Sequence, residues 1–189
     1  MENIFVTGGA GFIGSVLVKN LLSKGEKVTV YDNFVAGKLN YLPKNQNLRI
    51  IKGDIQNLSL LCKSMKNHSS VFHFAANSDV RKSITNSKID FEINFKGTKN
   101  VLDALIKNKI KNFIFPSSST VFGFPNTFPT PENYGPCLPE SFYGASKLAC
   151  EAYISAYSNL YDIKSWIFRF ANVTGNPSTH GIIFDLMKN

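Results

Sequence analysis

A chain of 189 residues, 43% hydrophobic and 18% charged, is long enough for one well-packed domain and short for two. Its formal charge of +8, from 21 Lys+Arg against 13 Asp+Glu, favours anionic partners, but the lysines are spread rather than clustered, so no nucleic-acid stripe is visible; solvated helix faces or phosphorylated small molecules account for the charge. No run approaches the roughly 18 to 20 apolar residues of a membrane span, the N-terminus lacks a basic cleavable leader, and Cys62, Cys137 and Cys150 lack metal-ligand spacing, so a cytoplasmic protein with reduced thiols, no metal and no membrane contact is expected.

The first apolar run, NIFVT (3–7), reads as a buried strand, and T-G-G-A-G-F-I-G (7–14) follows it into helical spacing over 11–24. The turn fits either Gly9-x-Gly11-x-x-Gly14 or Gly8-x-x-Gly11-x-x-Gly14. Such glycines permit a tight turn and let backbone approach a pyrophosphate at a helix N-terminus. A second run, KVTVY (27–31), ends on Asp32, 21 residues beyond Gly11. An acidic side chain there accepts hydrogen bonds from the adenosine ribose and repels a 2′-phosphate, which favours NAD over NADP. The alternatives are that Asp32 caps a turn, and that Lys38 tolerates the phosphate. LRIIK (48–52) leads to Asp54, placed either to hold an adenine amino group or as a solvated turn residue. Helical spacing over 58–67, the run SVFHF (70–74), a long helical stretch over 89–107 and the run NFIFP (112–116) complete the alternation before the irregular segment 122–140. Then come a helical stretch over 142–161 and a last strand, SWIFRF (165–170). The alternation predicts an α/β fold, a doubly wound parallel sheet of buried strands with helices on both faces.

Two segments carry candidate chemistry. FYGASKLACE puts Tyr143 and Lys147 one helical turn apart. Tyrosine is a poor base at neutral pH, and lowering its pKa by about 3 units takes roughly 4 kcal/mol of preferential phenolate stabilisation. A lysine at i+4 and the positive ring of bound NAD supply it, making Tyr143 a base toward an alcohol; the plainer reading is a packed aromatic beside a snorkelling lysine. PSSSTVFG (116–123) places hydroxyls at the C-terminal edge of the fifth strand, where open α/β sheets bind ligands, or forms a serine turn.

Taken in order, TGGAGFIGS, YDN, GDI, HFAA, SSSTVFG, YGASK and FRFANVTG resemble the extended short-chain dehydrogenase/reductases, in the NAD-dependent epimerase/dehydratase family. The resemblance implies a Rossmann-type fold and a nucleotide-sugar epimerase acting on a UDP-sugar first, with another NAD-dependent nucleotide-sugar enzyme or a non-catalytic NAD-binding module as alternatives. It implies that Gly8, Gly11, Phe12, Ile13 and Gly14 hold the pyrophosphate, Asp32 and Asn33 the adenosine ribose, and Asp54 and Ile55 the adenine. Phe74, Ala75 and Ala76 would line the cofactor cleft. Tyr143, Lys147 and Ser118 would be catalytic, with Ser119 and Thr120 as adjacent alternatives to Ser118, and Ser118 and Asn172 would touch substrate. Tyr143 and Lys147 would also hold the cofactor.

The family's dehydratase branch has Thr-Asp-Glu where this chain has Ser-Ser-Thr, and without those carboxyl groups elimination of water lacks its agents. Epimerase is favoured for that reason. Phe122 replaces a more usual tyrosine, and Asn77-Ser78-Asp79 has no evident role. Family members continue into a smaller substrate domain, so residues 1–189 are expected to be the NAD-binding domain, with 172–189 starting the connection. Ile182, Ile183, Phe184 and Leu186 would then form an apolar docking patch. The stretches 89–107 and 142–161 would pack against their copies as a homodimer, or face only their own sheet.

Overall fold

The structure, a computed structural model, describes residues 2–77 and 80–176, with the backbone alone for 80–82. Ser78, Asp79 and the expected docking patch at Ile182, Ile183, Phe184 and Leu186 lie outside the described residues. The elements run β1 (Asn3–Thr7), α1 (Phe12–Ser23), β2 (Lys27–Asp32), β3 (Leu48–Lys52), α2 (Leu58–Ser64), β4 (Ser70–His73), α3 (Val80–Thr85) and α4 (Lys88–Asp90). A π-helical turn (Phe91–Lys96) then carries the chain into α5 (Gly97–Lys107), followed by β5 (Asn112–Ser118), α6 (Phe142–Tyr161) and β6 (Lys164–Phe170).

The six strands among the described residues are all parallel, in the order β3-β2-β1-β4-β5-β6. Alternation along β1 decides which helices cover which face. Phe5 joins Tyr31, Val71, Phe113 and Phe115 under α2, α5 and α6, while Ile4 and Val6 join Val28 and Val30 under Val18 and Leu22 of α1. Helices therefore lie on both faces, as a doubly wound sheet requires. The order reverses between β1 and β4, the switch point at which open α/β sheets form a ligand crevice beyond the C-terminal ends of the strands. Thr7, Asp32, His73 and Ser118 all stand at that edge.

Three expectations are corrected. Not every strand is buried: β3 and β6 are edges, with Ile50, Trp166 and Phe168 exposed. In β6 the register aligns Trp166 with Ile114 and Phe168 with Pro116, on the face that α1 covers only over the first strands. The stretch 89–107 is not one regular helix, since the π turn inserts into it. The short helix α3 and the 3₁₀ turns Leu39–Tyr41 and Ser119–Phe122 have no counterpart in the periodicity.

Helix ends follow side-chain chemistry. Asn57 Oδ1 accepts from Leu60 N at 3.0 Å to start α2, and Ser141 Oγ accepts from Gly144 N at 3.0 Å to start α6. The left-handed Asp162, at φ 54°, ends α6.

The centre of the sheet holds His73, which is fully buried; its Nδ1 lies 2.6 Å from Thr7 Oγ1 and its Nε2 2.9 Å from Thr98 Oγ1. Burial, with a smaller push from the Lys147 charge, brings its pKa from 6.5 down to about 3. The folded state thus resists protonation that the unfolded chain accepts. Stability is complete above pH 6.5 and declines as pH falls toward about 3, at up to about 1.4 kcal/mol per unit. Urea unfolding at about pH 7 and about pH 5 should show wild type losing roughly 2 kcal/mol more than His73→Gln over that interval. Equal losses would mean that His73 does not govern acid sensitivity.

Candidate active site

The phosphate-binding turn is built on backbone packed against backbone. Gly8 has φ +65°, and a Cβ there would stand 2.5 Å from Ala75 N and 2.6 Å from Phe74 C. A Cβ on Gly14 would lie 2.3 Å from Gly8 O. Gly9 is closed off by Val30, whose Cγ2 lies 2.8 Å from where a Cβ would be. At Gly11 a Cβ would meet only Gly8 O, at 3.2 Å. Gly11 is also the N-cap of α1, which has neither a side-chain cap nor an acidic residue in its first turn. The first-turn amides, including those of Phe12 and Ile13, are therefore left for a ligand, with the positive end of the helix dipole behind them. This cradle fits a pyrophosphate.

The second strand places Asp32 beside the turn. It is buried, its Oδ2 accepts from Ala10 N at 2.9 Å, and its Oδ1 accepts from Phe34 N at 2.8 Å. Gly37 closes over it, since a Cβ there would be 3.0 Å from Oδ1. Asp32 does cap a turn, then, and each oxygen keeps one lone pair in reserve for a ribose hydroxyl. Asn33 Nδ2 donates to Asp54 Oδ2 at 2.9 Å, and Asp54 Oδ1 accepts from Gln56 N at 2.9 Å. The two candidate adenosine loops are thus tied together. Ile55 is buried in the core against Gly97, and its carbonyl accepts from Asn100 Nδ2 at 3.1 Å. Phe74 N donates to Thr7 O at 2.9 Å and Ala75 N to Thr7 Oγ1 at 3.3 Å, which sets Phe74, Ala75 and then Ala76 along the floor beside Gly8.

Across this crevice, β5 and α6 bring Ser118, Tyr143 and Lys147 together. Burial pushes the Tyr143 hydroxyl up from its usual value, hydrogen bonding to Ser118 pulls it down, and the Asp90 charge pushes it up again. Lys147 is almost fully buried; its Nζ donates to Pro116 O at 2.8 Å, lies 4.6 Å from the Phe115 ring centroid and 5.8 Å from that of Tyr143. Its pKa is pushed down to about 8 by burial, against the opposing pull of Cys150, Asp90 and Glu151. The lysine is anchored to the end of β5 and acts on the phenol through space. Asn172 is exposed and lies two residues beyond Phe170, the last residue of β6, which pairs with Ser118 at the end of β5.

A buried polar network stands behind the pair, and no sequence pattern signalled it. Asp90 Oδ1 accepts from Asn77 Nδ2 at 2.9 Å and Asn94 Nδ2 at 3.0 Å, and Asn94 Nδ2 also reaches Ser146 Oγ at 3.1 Å. Ser146 Oγ donates to Tyr143 O at 2.7 Å. Asp90 Oδ2 is buried with no hydrogen-bond partner among the described residues. Further along α6, Glu151 accepts from Ser117 Oγ and pairs with Arg169 at 2.8 Å, whose Nη1 donates to Glu132 O at 3.0 Å, fastening the long loop to the sheet. No group of side chains able to hold a metal occurs among the described residues, and no helix there is long and apolar enough to cross a membrane.

The chain and its fold have counterparts among known proteins. A provisionally named UDP-glucose 4-epimerase of Methanocaldococcus jannaschii is 40% identical over 174 residues, 91% of this chain and 56% of that protein. The solved UDP-N-acetylglucosamine 4-epimerase from Methanobrevibacter ruminantium M1, in complex with UDP-N-acetylmuramic acid, superposes with a TM-score of 0.92 at 34% identity, covering 99% of this chain and 62% of that one. The UDP-glucose 4-epimerase of Thermus thermophilus, solved as a complex with NAD, superposes with a TM-score of 0.88 at 33% identity, covering 95% and 58%. This chain spans little more than half the length of the curated relatives it matches. With a family model matching residues 4–189, the chain belongs to the NAD dependent epimerase/dehydratase family.

Proposed function

We infer that these residues bind NAD and form the cofactor half of a UDP-sugar 4-epimerase. The observation that carries this reading is the buried Lys147, whose Nζ is held by Pro116 O at 2.8 Å near the end of β5 and lies 5.8 Å from the Tyr143 ring centroid, together with an uncapped glycine cradle at the end of β1. Gly8, Gly11, Phe12, Ile13 and Gly14 hold the pyrophosphate, Asp32 and Asn33 the adenosine ribose, and Asp54 with the Ile55 backbone the adenine. Phe74, Ala75 and Ala76 line the cleft. NAD, when bound, accepts and returns the sugar's C4 hydride.

Tyr143 removes the proton of the C4 hydroxyl and gives it back after the sugar has turned over. Ser118 donates to the Tyr143 oxygen, which stabilises the phenolate form, and the buried Lys147 ammonium favours the same form electrostatically. Asn172 contacts the diphosphate of the substrate. The Ser118-Ser119-Thr120 run offers no carboxyl group for elimination of water, which supports epimerisation over dehydration. Residues 1–189 act as the cofactor domain, so sugar turnover by these residues alone is low, positioning being shared with a substrate domain.

Pairing with a second copy follows from the outer face of the π turn and α6. There Phe91 and Tyr153 are exposed, and Phe95 meets Tyr153 edge-on at 4.7 Å. An apolar aromatic face of this kind suits a two-fold helical interface.

Calorimetric titration tests the reading. NAD should bind more tightly than NADP, because a 2′-phosphate would approach the buried Asp32 carboxylate. Equal affinities would remove Asp32 from its role, and absence of NAD binding would overturn the proposal.

A further inference from the structure

β4 ends at His73, so the floor that follows it has no strand ladder to hold it. Its start hangs on Thr7, through Phe74 N and Ala75 N. Its end is held at Asn77, a residue with no evident role by sequence. Asn77 N donates to Asn94 Oδ1 at 2.7 Å, its carbonyl accepts from Asn94 Nδ2 at 3.3 Å, and its own Nδ2 donates to Asp90 Oδ1 at 2.9 Å. The same Asp90 oxygen accepts from Asn94 Nδ2 at 3.0 Å. One acceptor shared by two amides fixes which way both of them point. Asn94 Oδ1 is thereby turned to Asn77 N, and its NH2 also reaches Ser146 Oγ at 3.1 Å, which donates to Tyr143 O at 2.7 Å. Asp90 and Asn94 are both buried, so water does not replace a contact that is lost.

We propose that Asp90 is a positioning residue: by accepting from Asn77 and Asn94 together it locks the end of the cofactor floor to the turn of α6 that carries Tyr143, and so fixes where the nicotinamide end of the cofactor lies relative to the phenol. The proposal rests on the reading of the crevice as an NAD site. With the adenosine at the ends of β2 and β3 and the pyrophosphate at β1, the strand order sends the rest of the cofactor over β4 toward β5, past Ala76 and Asn77. Asp90 acts on it only through the two asparagines. Without Asp90, two buried amides lose their shared acceptor and the floor is no longer tied through it to α6. The adenosine loops, joined by Asn33 and Asp54 on the far side of β1, keep their own contact.

Calorimetric titration with two ligands separates this role from a general loss of structure. NAD and ADP share the adenosine and the diphosphate, and only NAD carries the nicotinamide riboside. Asp90→Ala should weaken NAD by about tenfold or more while ADP stays within about twofold of wild type. Asp90→Asn should restore NAD, since its amide oxygen takes the place of Oδ1 and its NH2 that of Oδ2, which has no partner among the described residues. Asn77→Ala removes one of the two donors, should shift the ratio of the two affinities in the same direction, and decides the matter if Asp90→Ala does not fold. Equal weakening of both ligands, or wild-type NAD affinity in the alanine variants, overturns the role of Asp90 and leaves the NAD site standing. An Asp90→Asn chain as weak toward NAD as Asp90→Ala assigns the effect to charge and overturns the positioning role as well. A wild-type chain that binds neither ligand overturns this proposal and the NAD reading with it.

Discussion

Gly14→Ala is expected to destabilise the fold by about 3 kcal/mol or more and to abolish NAD binding, whereas Gly11→Ala should cost much less stability and still lose the cofactor. The added methyl at position 14 would stand 2.3 Å from Gly8 O and 2.9 Å from Gly9 Cα. Both are backbone atoms, so no rotamer change can relieve the contact. Gly8 cannot retreat, because its N–H is bonded to Tyr31 O at 2.9 Å and its own Cβ position lies 2.5 Å from Ala75 N. Relief therefore requires shifting β1 against β2 and β4, the centre of the sheet. The cost approaches a large fraction of the roughly 5 to 15 kcal/mol that holds a domain together. At position 11 the backbone φ of −77° suits alanine, and its methyl would meet only Gly8 O, at 3.2 Å. That methyl lies ahead of the first turn of α1, where a pyrophosphate has to approach. Thermal unfolding and calorimetric titration of both variants check the contrast. If Gly14→Ala melts like wild type, the turn is more yielding than its packing implies. If Gly11→Ala binds NAD undiminished, the phosphate does not sit at this helix end.

The contrast also shows what a sequence can and cannot convey. A glycine spacing marks the turn, but it does not distinguish Gly14, needed for backbone contact, from Gly11, needed for open space. The central strands were legible because β1, β2 and β4 are apolar runs bounded by turns. The same apolarity misled for β6, whose exposed Trp166 and Phe168 look like core residues until the sheet order puts them at an edge. Asp90 and Asn94 were invisible for the opposite reason. Two polar residues four apart read as a solvated helix face, and only the packing of the π turn against α6 buries them behind Tyr143. At the strand end, neighbouring serines diverge: alternation puts Ser117 on the face of Phe113 and Phe115, where Glu151 takes it, and Ser118 ends the strand within reach of Tyr143. Sequence pattern alone could not rank Ser118 above Ser119 or Thr120; the family resemblance did so.

Tyr143→Phe is expected to reduce UDP-glucose and UDP-galactose interconversion by about 10² to 10⁴-fold in whichever form of the protein turns over, with NAD affinity little changed. Phenylalanine keeps the ring between the end of β5 and α6 and removes only the oxygen that takes the substrate proton. The pH profile carries the finer prediction. Activity should rise with pH as Tyr143 ionises, a step that burial delays and the Ser118 hydrogen bond and bound cofactor advance. It should fall again above about 8, where the buried Lys147 loses its proton and with it the charge that favours the phenolate. Replacing Lys147 by methionine keeps most of the side-chain volume and deletes that charge. The rising limb should then move to higher pH and the falling limb assigned to Lys147 should vanish. Pro116 O would lose its 2.8 Å partner as well, at a cost of about 1 to 3 kcal/mol in stability that unfolding measurements would register separately. A Lys147→Met profile that keeps its falling limb would place that ionisation on another group. Undiminished turnover by Tyr143→Phe would move the proton acceptor elsewhere in the crevice.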